Sequence, residues 1–571
     1  MNDIRRSILW VIFGFTMVML WDQWQIYNGN KATFFPAPVA TENKATTPAP
    51  KTNDVPQAVR SDAAVNPNVI AAGVSSNGGR ERIDVSSDVL ALTLDSEGGS
   101  IIRVEFLKHA DVLHPGKNIV LLDESKDRVY MAQTGLIGAP TSTAWPTHKT
   151  PMTFSGAQKM TEDQKELVVK FSSDVVGGLQ LIKTYTLTKG DYTIAVKHDI
   201  INKSGQEAAP QLYMQLLRDG NKPDGESSFY STFTGPALYN NTKKYQKVEF
   251  TDIEKDKAVF DKQASEGYVA IVQHYFASAW LLADGIKREY FVRKVDQNLF
   301  SAGMITTLPA IEANGKYSID ARFFVGPQEE NNLETIYPGL ELVKDYGWLT
   351  ILAKPLYWLL NKLNHYLGNW GWSIVALVVL IKAAFYWLNA QAYKSMAKMK
   401  AINPKIQEMR ERLKDSPQQM QQEIMKIYRD EKVNPLGGCL PIAIQIPVFI
   451  ALYWVLLSTV EMRNAPWVLW IHDLAAPDTS LGVWFGVPIG ILPIVMTLTT
   501  VLQTALNPAP PDPMQAKLMW IMPLAFSVMF FFFPSGLVLY WITNNVLSIA
   551  QQWLINTRMG VPPQFNLPKF R

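Results

Sequence analysis

Apolar and polar positions change their spacing several times along the chain. An apolar run from Ser7 to Trp24 follows Arg5 and Arg6. The run ends in Trp21-Asp22-Gln23-Trp24 rather than in small residues, which predicts an uncleaved signal anchor in residues 1–27. Residues 28–80 are poor in large apolar side chains and rich in Pro, Ala, Thr, Asn and Ser. Such a stretch buries too little surface to offset its ordering entropy and predicts a flexible linker. From about Arg82 to Pro327 the period becomes two. Tyr192, Ile194, Val196 and Ile200 share one face, with Thr193, Lys197 and Asp199 on the other. Further strands are expected at Leu179–Leu187, Leu212–Leu217, Tyr268–Val272 and Ile319–Val325. Many short strands with Gly, Asn and Asp turns predict a β-sandwich over residues 81–333.

The period then turns helical. In residues 334–368, Leu349, Leu352, Leu356, Leu359, Leu360 and Leu363 recur at helical spacing, interrupted by Lys354, Asn361 and Lys362. Two readings stand: an amphipathic helix lying in the membrane interface, or a short helix closing the β domain. Residues 369–389 read NWGWSIVALVVLIKAAFYWLN, long and apolar enough for a transmembrane helix and flanked by Trp370, Trp372, Tyr386 and Trp387. Lys382 is its one full charge. A centred ammonium costs up to about 3 kcal/mol on insertion scales, so it either snorkels to the interface or faces a wet cavity.

Residues 390–433 break the apolar pattern. Ten Lys or Arg against six Asp or Glu between Gln391 and Lys432 predict a cytoplasmic position. Met396, Met399, Ile402, Ile406, Met409 and Leu413 step by threes and fours, and Met420, Ile424 and Ile427 continue the seam after Asp415-Ser416-Pro417. This predicts a helical hairpin, with Met399, Ile406, Met409 and Ile424 at its contact. Pro404 is expected to kink the first helix or restart it at Asn403. The methionines serve as hairpin core or as a peptide-binding surface, and the basic excess suits lipid headgroups or ribosomal RNA. Residues 434–555 hold four more expected spans: Cys439–Val460, Leu481–Leu502, Met514–Phe533 and Leu537–Leu554. The loop Glu461–Ser480, with one Arg and three acids, is placed outside. Six transmembrane helices then leave both termini, including the tail 556–571, in the cytoplasm and the sandwich outside.

Composition narrows the function. The chain is 47% hydrophobic with 17 Trp and 26 Phe, and its net charge of +3 is too small for a DNA binder. Its single cysteine, Cys439, excludes an intramolecular disulfide. The histidines at 109, 114, 148, 198 and 274 have no metal-ligand spacing, so neither an enzyme nor a cofactor is expected.

Four runs carry a resemblance: NPLGGCLPIAIQIPVFIALYWVL from Asn434, WIHDLAAPD from Trp470, DPMQAKLMWIMP from Asp512 and FPSGLVLYWITNN from Phe533. They resemble the YidC membrane protein insertase family in its Gram-negative form, related to the insertases of mitochondria and chloroplasts. The resemblance implies a polytopic α-helical protein of the bacterial inner membrane, with a five-helix core around a hydrophilic groove, plus a periplasmic all-β supersandwich similar to sugar-binding domains. It implies a groove open to the cytosol with a cation, here Lys382 where arginine is commoner. It further implies that Gln445, Ile446 and Phe449 line the groove and that Tyr540 and Trp541 meet substrate. Implied partners are nascent membrane proteins, the Sec translocon, ribosomes with the signal recognition particle pathway, and membrane lipids. Trp387 stands where relatives often have a proline. The competing class is an ion or solute transporter or channel, with Lys382 binding an anion. Against it, the spans lack Asp and Glu for coupling and show no inverted repeat or filter sequence.

Overall fold

The structure, a computed structural model, describes residues 54–57, 80–111, 114, 116–140, 143–223, 232–413, 416–431, 440–507, 513–560 and 565. The expected anchor, most of the 28–80 linker and nearly all of the tail beyond Gly560 lie outside them. The described chain falls into two units, divided between Lys344 and Asp345.

The first unit is a sandwich of two nine-stranded sheets whose strand pairings are all antiparallel. One sheet runs, in spatial order, Arg82–Ser86, Leu90–Asp95, Ile101–Ala110, Asn118–Glu124, Val129–Ile137, Gln211–Asp219, Leu299–Thr307, Arg288–Asp296 and Gln263–Ala264. The other runs Lys244–Lys247, Gly235–Asn240, Tyr268–Val272, Phe276–Leu282, Lys316–Pro327, Thr193–Asn202, Leu179–Thr188, Glu166–Ser173 and Met152–Gly156. The strands read from alternation are all present. Alternation is clear where one face meets solvent, as in Glu166–Ser173. It vanishes in Val129–Ile137 and Gln211–Asp219, where every residue is buried.

Between the sheets the packing is apolar but stitched by polar bonds. Trp280 packs at 4.7 Å on Phe323 and donates across the sandwich to the Gln215 carbonyl at 3.2 Å. Tyr130 and Ser278 pair at 2.6 Å. Lys183, wholly buried, donates to the carbonyls of Gly98 and Thr134 at 2.6 and 2.7 Å. Burial pulls its amine down to about 7. Burial, together with the nearby Lys183, pulls His198 down to about 3, and its Nε2 lies 3.0 Å from Thr134 Oγ1. Each of these side chains therefore makes at least one hydrogen bond, which lowers the penalty of burying a polar group.

The second unit is helical: α1 Thr350–Leu367, α2 Trp370–Ala384, α3 Tyr386–Arg412, α4 Pro417–Asp430, α5 Leu440–Ser458, α6 Ile491–Leu506, α7 Pro513–Met529 and α8 Ser535–Arg558. One core joins Tyr357 and Leu360 of α1, Ile374 and Leu377 of α2, Leu452 and Val455 of α5, Met496 of α6 and Val538 of α8. The buried face of α1 thus belongs to the helical unit. Its opposite side exposes Ile351 and Trp358, and Leu498, Ile521, Val528 and Val546 are likewise exposed on α6, α7 and α8. So much outward apolar surface needs an apolar surrounding.

Several boundaries differ from the sequence reading. The run 369–389 is not one helix: it breaks at Phe385, with a 68° bend between Trp370–Ala384 and Tyr386–Met399. Among the described residues no single helix is long and apolar enough to cross a membrane, although this bent pair meets the test together. The expected span at Leu481 starts only at Ile491. Before it, Val483–Trp484 and Val487–Pro488 form a tiny hairpin across Phe485 and Gly486, both with positive φ, a turn the hydrophobic pattern alone does not reveal. The helix α3 continues through Pro404 without restarting at Asn403. In the hairpin, Ile402 and Ile406 are buried against Met399, Ile424, Ile427 and Tyr428. Met409 lies outside that cluster and instead accepts a bond from Arg412, since the seam ends one turn earlier. Ser416 and Pro417 open α4 as expected, although the Ser416 side chain makes no cap bond.

Candidate functional site

The cleft begins with the start and the end of α2. Asn369 caps it, accepting from the Trp372 N–H at 3.1 Å, which satisfies one of the free donors of the first turn. Gly371 lets Trp467 pack on the helix, because a Cβ there would lie 2.2 Å from the indole ring. These contacts fix the first turn, and the last turn carries Lys382. No proline or glycine marks the break at Phe385. Just past it, Gln551 of α8 reaches the Tyr386 carbonyl at 3.4 Å. Trp387 is 74% exposed beyond the bend, so the turn occurs without a proline there.

At the bend the chain opens a cleft lined by Ile381, Lys382, Phe385, Leu388, Asn389, Gln445 and Val448, with about 320 Å³ of empty space including open solvent. Lys382 Nζ donates to Ser548 Oγ of α8 at 2.7 Å, and Ser548 in turn donates to the Asn544 carbonyl at 2.7 Å. Gln445 of α5 donates to Asn544 Oδ1 at 2.8 Å. A polar ladder therefore ties α2, α8 and α5 together beside the cleft. Among the described residues Lys382 forms no ion pair, and the lining contains no carboxylate. An ammonium has three donors, so one hydroxyl leaves capacity for an acceptor arriving through the cleft.

The six residues expected at the groove separate into two sets. Lys382 and Gln445 share the cleft. Phe449, Tyr540 and Trp541 make an aromatic group, with Phe449 stacked on Tyr540 at 5.9 Å and edge-on to Trp541 at 4.8 Å. Tyr540 is 2% exposed and packs in the core, whereas Ile446 is half exposed. Ser548 and Asn544 bond between helices, to Lys382 and Gln445 respectively. Asn545 reaches Thr499 and Thr500 of α6 at 3.2 and 3.0 Å. Asn389 and Phe385 escaped notice. The signal for Asn389 was an amide two residues past Trp387, the end of the aromatic flank of an apolar run, a position that a straight helix would leave in the interface.

An all-β unit followed by an apolar helical unit with a cationic cleft is the architecture of a membrane-integrated protein with a separate globular domain. The family model described as the YidC periplasmic domain matches residues 82–359, and that of the 60Kd inner membrane protein matches residues 362–561. A membrane protein insertase YidC from Janthinobacterium sp. (strain Marseille) is 48% identical, covering 98% of this chain and 100% of its own. One from Ralstonia nicotianae is 51% identical, with 98% of each chain covered. A crystal structure of an active YidC insertase aligns over 83% of this chain and 92% of its own, at 19% identity and a TM-score of 0.38. The chain belongs to the YidC membrane protein insertase family. That family places it in the bacterial inner membrane with a periplasmic domain.

Proposed function

We propose that the protein inserts nascent membrane proteins by receiving their polar tails in the cleft beside Lys382, while the apolar segment moves laterally into lipid. No covalent chemistry is involved. The barrier is desolvation of the tail, which a partly hydrated pocket lowers by supplying water and hydrogen-bonding groups inside the membrane. Lys382 attracts acidic tail residues, and Gln445 offers an amide. Ile446, Phe449 and Trp541 supply an apolar wall for the client segment, with Tyr540 supporting it from behind. The observation that carries this reading is the Lys382 ammonium, bonded to the neutral Ser548 at 2.7 Å beside an open cleft.

In the same reading, six spans put both termini in the cytoplasm, with α3 and α4 as a hairpin that meets ribosomes, the signal recognition particle and lipid headgroups. Work beside the Sec translocon belongs to this proposal too. Photo-crosslinkers placed at Ile446 and Phe449 should capture a stalled client segment, whereas one at the exposed Leu498 of α6 should not. Equal capture at all three positions would argue against a defined route.

A further inference from the structure

The outer face of the first sheet carries a second built site. Gln133, Gln215, Gly303 and Phe291 lie opposite one another on four adjacent strands, with Ser301 and Arg293 paired in the next row. Two glycines keep this face low. A Cβ at Gly135 would lie 2.5 Å from Tyr213 Oη, and one at Gly303 would lie 2.5 Å from the Phe291 ring. The amides are held in place: Gln215 Nε2 donates to Gln133 Oε1 at 2.8 Å, and Ser301 donates to Gln215 Oε1 at 3.0 Å. Above the face, His148 is positioned by Tyr213, whose hydroxyl lies 2.5 Å from Nδ1 and accepts from the His148 N–H at 3.0 Å.

A short piece of the presumed linker occupies this site. Asp54 is 1% exposed, Pro56 is buried and Gln57 faces outward. The Asp54 carboxylate meets His148 Nε2 at 3.0 Å and Lys149 Nζ at 2.7 Å. Its carbonyl accepts from Gln215 at 2.9 Å and from Arg293 at 2.5 Å. Val55 packs with Ile137, Tyr213, Ile305 and Phe291. Burial pushes the Asp54 carboxyl up, but the His148 bond and the Lys149 charge more than reverse this, so it is ionised at neutral pH. Backbone, charge and apolar side chain are thus all recognised, which is how an extended peptide is read.

We propose that this face is an exchangeable receptor for an extended peptide bearing an acidic residue followed by two apolar ones, and that Asp54–Pro56 fill it in cis. A segment tethered to its own receptor presents itself at about millimolar concentration, so a free peptide displaces it only at comparable concentrations. The test uses the full-length protein with Cys439→Ser and a nitroxide at Gln57→Cys, an exposed position. The label should be immobilised. Asp54→Ala should shift the equilibrium at least tenfold toward the mobile form. A synthetic peptide copying residues 50–59 should mobilise the label half-maximally near millimolar concentration, and its Asp54→Ala counterpart at least tenfold less well. A label that moves freely with Asp54 intact, or spectra unchanged by Asp54→Ala and by millimolar peptide, would overturn the proposal.

Discussion

Two lysines, one wholly buried in the sandwich and one partly buried in the helical unit, are held in opposite ways. Lys183 in the sandwich gives two of its donors to backbone carbonyls that two neighbouring segments hold in place. Lys382 in the helical unit gives one to a serine hydroxyl and faces a cleft. The first keeps at most one donor spare, in a wholly buried setting that an incoming ligand does not reach. The second keeps hydrogen-bonding capacity facing an open cleft. A buried cation is therefore no marker of function by itself; what distinguishes the two is whether its surroundings leave room for another acceptor.

The contrast predicts that damage to the sandwich is paid in stability and damage to the cleft in activity. The largest stability effect is expected from Trp280→Ala, which empties a fully buried site and should cost about 3–5 kcal/mol while insertion by the surviving folded protein continues. Chemical denaturation paired with an insertion assay checks both halves. Next is Lys183→Met. Lys183 is neutral in the fold above about pH 7 but stays charged when unfolded up to about 10.5. The unfolded chain therefore binds the extra proton in that window, and stability should rise with pH there by about 1.4 kcal/mol per unit. The methionine variant should lose this rise, read as hydrogen-exchange protection of the strand Leu179–Thr188 between pH 7 and 10.

Within the helical unit the effects on stability should be smaller. Ile406→Asp puts a carboxylate into the hairpin seam and should weaken α3–α4 pairing by about 2 kcal/mol. Client delivery should fall while protease mapping of the remaining helices stays unchanged; normal delivery with an opened hairpin would remove the hairpin from the mechanism. The smallest effect is expected from Asn545→Ala, which loses bonds to Thr499 and Thr500 worth roughly 0.6 kcal/mol on average within a membrane. Thermal unfolding of the detergent-solubilised protein should shift only slightly.

The sequence carried the strands well, because period-two alternation marks each strand with a solvated face. It also carried the presence of a lone cation in an apolar run. What escaped it depends on contacts between distant residues. The break at Phe385 has no proline or glycine to announce it and coincides with Gln551 reaching the Tyr386 carbonyl. The late start at Ile491 was hidden because Val483, Trp484 and Phe485 are apolar enough to read as helix while their glycines fold them into a turn. Asp54 lies in a stretch whose composition predicts a linker, and His148, Lys149, Gln215 and Arg293, remote in sequence, give it a place. Ser548 was visible as a polar residue in a span, but its bond to Lys382 joins positions 166 apart in sequence.

The most direct test of the cleft is protease protection of a client's acidic tail after co-translational insertion into vesicles containing Lys382 variants at equal protein level. If the ammonium serves incoming acids, Lys382→Arg should insert like the parent, because the charge is retained. Lys382→Leu should fall at least tenfold, and Lys382→Glu further, because like charges repel where water and salt are scarce. The differences should shrink for a client whose tail lacks acids. Full protection with both the Leu and the Glu variants would contradict the account and reduce Lys382 to an anchor that snorkels to the membrane surface.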